Sequence, residues 1–207
     1  MTTPRSAALS TLAALLAFAL SARAETNKPF EVKSGVVESV MTLPGMGKTE
    51  EVLYFDDYGR KQAKYSTTTV DVGQLLVNHK LEIQLPDGTS YNIDLDEKTG
   101  STVKIPPAAA AALGTAMAPS LLKDAKVKDL PAKEFLGHQC KGTEVEAMGM
   151  LTRTWTWKGI AIYSEADAGK GGDKPVVIRA TKLTEGPVPA DKFKPPAGVR
   201  LEKMSDQ

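Results

Sequence analysis

The residue types best suited to chemistry sit in one heptapeptide. "LGHQCKG", residues 136–142, carries the only cysteine of the chain and one of its two histidines, spaced so that His138 and Cys140 share a side of any strand they occupy. A thiolate nucleophile also needs a lowered pKa and an orienting partner for its base, and the flanking residues supply neither. An unpaired cysteine is more often a small buried apolar residue, so Cys140 is expected on the packed side of a strand that starts near His138. Glu144 and Glu146 are expected on the outer side of that strand, which requires a bulge, with Gly142 as its natural place.

Other chemistries are poorly supplied. "LPGMGKT" at 43–49 lacks the first glycine of a phosphate loop, where Thr42 stands, and is followed by strand-like residues, so it reads as a turn. His79, His138 and one cysteine cannot build the usual zinc cages, and no H-E-x-x-H or C-x-x-C occurs. Asp56, Asp57, Asp94 and Asp96 fall in turns, where carboxylates are normally solvated. No G-x-S-x-G motif is present. The expectation is therefore a protein without catalytic residues, metal or cofactor.

The elements that carry these residues are mostly strands. "FEVKSGVVESVMT", "EEVLYF" and "RKQAKYSTTT" are rich in Val, Thr, Tyr and Phe and are cut by short turns such as "DDYG" at 56–59. "KLEIQL" and "TSYNIDL" flank Pro86-Asp87-Gly88, a tight-turn signal, and "DEKTG" at 96–100 marks a further turn. Over 106–126 the composition shifts to an alanine-rich apolar stretch begun by prolines and broken at Pro119, which predicts two short buried helices. Strand patterning resumes after Leu136. In "MLTRTWTW" Thr152, Thr154 and Thr156 alternate with Leu151, Arg153, Trp155 and Trp157, which puts both tryptophans on what is read as the inner face. The proline-rich end from 186 to 207 predicts an extended tail anchored by Phe193.

The chain opens with Arg5, an apolar run over 7–20 and Ala22-Arg23-Ala24, the pattern of a signal peptide cleaved after Ala24. The run is shorter than the roughly 20 residues a membrane span takes, so a periplasmic protein with no transmembrane segment in its mature chain is expected. Removing 1–24 takes away Arg5 and Arg23 and no acid, from 26 basic and 25 acidic residues. The near-neutral remainder has no general electrostatic reason to bind nucleic acid. One domain over 25–207 follows, large enough to bury a core without the disulfide that a single cysteine cannot form.

Taken together, "YFDDYGRKQAKY", "YNIDLDEKTGS", "LGHQCKGTEVE", "TWTWKGIAI" and "VPADKFKPPAGV" resemble a bacterial periplasmic family of unknown function that is itself similar to the Lol-type outer-membrane lipoprotein carriers. The resemblance implies an α+β domain: a strongly curved antiparallel sheet, or half-open β-barrel, covered by short helices. It implies non-catalytic binding of a lipid, an acylated protein or another apolar ligand in the hollow of that sheet. Trp155, Trp157 and Arg153 are expected in the wall, the arginine near the mouth, and Met117, Leu121 and Leu122 in the lid. The alternative is a sensor or scaffold module with a solid core that acts through its surface.

Overall fold

The computed structural model describes residues 28–45, 47–71, 73–107, 125–147, 149–167 and 174–203. These residues build twelve strands: β1 (Gly35–Leu43), β2 (Gly47–Asp56), β3 (Lys61–Asp71), β4 (Leu75–Gln84), β5 (Thr89–Asp94), β6 (Thr99–Lys104), β7 (Lys126–Phe135), β8 (His138–Ala147), β9 (Met150–Trp157), β10 (Ile160–Asp167), β11 (Val176–Glu185) and β12 (Arg200–Lys203). They form one open sheet in the order β12-β6-β5-β4-β3-β2-β1-β11-β10-β9-β8-β7. All neighbours are antiparallel except β12, which lies parallel to β6. Beside this sheet, Asp57–Gly59 and Ala190–Phe193 form short 3-10 turns.

The expected α+β class is thereby overturned. The described residues are almost entirely sheet, and those of them that pack on its apolar clusters from outside the strands, the arm and the tail, are extended chain and a 3-10 turn. Most of the predicted helical stretch 106–126 lies outside the described residues, and its last residue, Lys126, already belongs to β7. "KVKDLPAKEF" shows no apolar alternation and contains a proline, two features an outermost strand tolerates because one of its edges has no ladder to join.

Hairpins dominate because local turn chemistry dictates them. At Pro86-Asp87-Gly88 the glycine takes a φ of 84°, its N–H donates to Leu85 O, and the Asp87 carboxylate accepts from Thr89 N and Oγ1. The long connection is the exception. β1 pairs β11 across most of the chain's length, which closes the sheet's middle and brings the two halves together.

Two apolar clusters hold the sheet. In the first, Val37, Phe55, Cys140, Trp155, Ile160, Ile162 and Ala180 pack together. Here β10 pairs β11 only over Tyr163–Ala166, so the strands part beyond that point. The N-terminal arm fills the opening: Phe30 N donates to Tyr58 O, Glu31 N to Lys158 O, and Val32 joins the cluster. The second gathers Ala63, Leu81, Ile83 and Ile93 under Phe193 of the tail.

Candidate binding face

β8 begins at His138, after a turn in which Leu136 and Gly137 adopt φ values of 53° and 75°. Cys140 is fully buried and its Sγ lies 3.4 Å from the carbonyl of His138. Burial pushes its thiol pKa up, the opposite of what a nucleophile needs. The His138 ring stacks on Trp157, centroids 4.1 Å apart, and so faces an aromatic surface. Among the described residues no three His, Cys, Asp or Glu side chains group as a metal site.

Trp155 is a core residue. Its indole lies across Gly142, where an added Cβ would come 2.6 Å from Nε1, and that nitrogen donates to Pro131 O at 3.1 Å. Phe135 and Tyr163 stack on each other with centroids 5.1 Å apart and both flank the indole, while Lys133 Nζ sits 4.1 Å from the Trp155 ring centroid. Trp157 is half-buried between His138 and Lys158. Arg153, on the same side, donates from Nε to Glu144 at 2.7 Å and from Nη1 to Glu165 at 3.1 Å, and Tyr163 also donates to Glu165. The three expected wall residues thus share a face but do three different things: core packing, a ring stack near the strand end and an ion pair network.

The expected bulge at Gly142 is not there. β8 pairs β9 in unbroken register from Lys141 to Ala147, and the irregularity lies in β7 between Leu130 and Lys133. Glu144 therefore stays on the Cys140 side, where the positive charge of Arg153 compensates it. Met117, Leu121 and Leu122 lie outside the described residues.

The opposite face holds what sequence reasoning passed over. Direct cross-strand partners share a face, and the register joins Thr143, Thr154, Ser164, Ile178, Met41, Thr49, Thr68 and Asn78 into one row across eight strands, β8 to β4. No member is charged. Thr49 and Ser164 are only 4% and 8% exposed, and beside them Val145 pairs with buried Thr152. The hydroxyls satisfy one another: Thr154 and Ser164 are 3.0 Å apart, Thr49 and Thr68 3.1 Å. These hydrogen bonds stay within the sheet, and at the end of the row Asn78 donates to Asp94 at 3.1 Å, so the row itself carries no charge. Threonine hides such a row from a hydrophobicity pattern because it counts as polar.

Toward the other end of the same face the row gives way to charge. Lys64 Nζ lies 2.9 Å from Glu82 and 3.8 Å from Glu51. Burial raises the Glu51 pKa, with Lys64 opposing and Glu82 reinforcing the shift. A separate open depression of about 540 Å³ lies where the arm meets the tail, walled by Val32, Lys33, Asp56, Glu185 and Val188.

A single open, nearly all-β sheet is the class these features define. No protein-family model matches the chain, and no curated protein matches it. Among solved structures it is similar to an uncharacterized conserved protein from Thermus thermophilus, with a TM-score of 0.51 at 8% identity, covering 94% of this chain and 99% of that one; this shows a shared fold. MucB aligns with a TM-score of 0.46 at 13% identity over 94% of this chain, which spans 66% of MucB. A domain described as outer-membrane lipoprotein-sorting, from Vibrio parahaemolyticus, aligns with a TM-score of 0.32 at 10% identity, covering 79% of this chain and 91% of that one. No helix among the described residues is long and apolar enough to cross a membrane.

Proposed function

We propose that this is an exported, non-catalytic binding module of the periplasm that takes an apolar or acylated ligand against one face of its sheet. The observation that carries the reading is the uncharged row from Thr143 to Asn78, eight strands wide, in which Thr154 pairs with Ser164 and Thr49 with Thr68. An acyl chain needs an apolar surface of considerable length and few polar anchors. The export signal over 1–24 and the resemblance to Lol-type carriers support the location and the ligand class. The buried, raised thiol of Cys140 supports a role without catalysis. On the opposite face Arg153 is engaged by two carboxylates, which makes it a poor anchor for a ligand's anionic end.

The test uses the chain beginning at Glu25 and a dansylated fatty acid. Saturable binding is expected, weakened about tenfold or more, roughly 1.4 kcal/mol, by Thr154→Asp and by Thr68→Asp, with thermal melting confirming that both variants fold. Absence of binding at every chain length tried would sink the reading and favour a solid-cored module working through its surface.

A further inference from the structure

The third and fourth strands reach past the rest of the sheet beside them. β4 pairs β3 along its whole length, Leu75 to Gln84, but pairs β5 only from Lys80 to Gln84. At the boundary, His79 O accepts from Leu95 N, and His79 N donates to the Asp96 carboxylate at 2.9 Å, which takes the place of a strand partner. In an antiparallel ladder every second residue bonds to the same side. The backbone groups of Val77 and Leu75 therefore point the same way as those of His79, beyond the end of β5, and among the described residues no strand pairs with them.

Side chains there are as open as the backbone. Leu75, Leu76 and Val77 are 68%, 48% and 48% exposed. Natural edges are usually blunted by charge, proline or a covering segment, and Gln74 to Asn78 carries no charge and no proline. We propose that this edge is an interface between two copies of the chain, paired antiparallel about a two-fold axis at Leu76.

Self-complementarity selects a second copy as the occupant. In that register Leu75 of one copy lies opposite Val77 of the other, and both residues have outward N–H and C=O groups, so each pair exchanges two hydrogen bonds. The Leu76 side chains meet at the non-hydrogen-bonded position, where Cα atoms approach to about 4.5 Å. Gln74 faces Asn78, so no like charges oppose each other. Asp96 stops the ladder at one end and the β3–β4 turn at the other, which keeps the interface short and the association weak.

Sedimentation of the chain from Glu25 over a concentration series is expected to show a monomer–dimer equilibrium. Val77→Pro removes an outward N–H without touching the β3 ladder, and Leu76→Lys sets like charges opposite each other; each is expected to weaken association about tenfold or more. Register is read separately by oxidation: Leu76→Cys is expected to give a disulfide-linked dimer, since about 4.5 Å suits a disulfide, whereas Asn78→Cys is not. A chain monomeric at every concentration, equal cross-linking at both positions, or an extended apolar peptide binding this edge to a monomer would overturn the proposal. Fatty-acid binding is read independently, so failure of either idea leaves the other standing.

Discussion

Two covers pack on opposite sides of β2. Phe55 packs with Val37 and Ala180 in the cluster that the arm joins, while Tyr54 packs with Ala63, Ile83 and Phe193 in the cluster under the tail. Neighbouring residues of a strand point to opposite faces, so the arm and the tail cover reverse sides of that strand. The chain's two ends supply both covers. The arm from Lys28 to Ser34 plugs the gap between β10 and β11, and the tail from Pro187 crosses to the far edge and ends as β12. A sheet of this kind is stabilised by segments that carry little regular structure of their own.

The largest break in that comparison comes from the tail. Ending the chain after Gly186 removes Val188, Phe193, Val199 and Leu201 from the second cluster, and cooperative unfolding followed by circular dichroism is expected to be lost. Phe193→Ala alone is expected to cost about 3–5 kcal/mol. In the other half, Gly142→Ala forces a methyl into the Trp155 indole and Leu130. About 1–3 kcal/mol of destabilisation is expected, with a red shift of tryptophan emission as the ring is displaced.

A smaller effect probes the uncharged row. Thr154→Val leaves the Ser164 hydroxyl without its partner, at a cost of about 1–3 kcal/mol, whereas Thr154→Val with Ser164→Ala is expected to be nearly neutral. Additive losses in this double-mutant cycle would show that the hydroxyls are not acting as a pair.

The smallest expected effect concerns the β4–β5 turn. Hydrogen bonds from Lys104 and Thr89 lower the Asp87 pKa from 3.8 to about 2. The folded state thus binds this proton less readily than the unfolded chain, so the contribution is present above 3.8 and is lost as pH falls toward about 2. Asp87→Asn is expected to flatten that part of the curve of urea midpoint against pH. Asp87 and Lys104 are both exposed to solvent, so the change is modest.

Much of the strand pattern was legible. β1 to β5 and β8 to β11 carry β-branched and aromatic residues between turn signals, whereas β6 follows the "DEKTG" turn and was not read as a strand; Cys140 on the packed side follows from its residue type and from alternation. β7 and β12 were not legible, because edge strands need no apolar alternation. The placement of Glu144 failed for a related reason: the bulge arose in the partner strand, next to Pro131, where β8's own sequence holds no sign of it. The threonine row was visible as an alternation in β9 but not as a surface, since its meaning depends on Ser164, Thr49 and Thr68 arriving from distant strands.

By itself the sequence determined where the chain turns, which residues favour strands, and that Cys140 and His138 lack the partners of a nucleophile. Those outcomes depend on neighbours a few residues apart. Only the tertiary structure decided which side of each strand is buried, that Arg153 is held by Glu144 and Glu165, and that Leu75 to Val77 extend beyond β5. Such features follow from register between strands far apart in the chain, and register is set by the packing of the whole sheet.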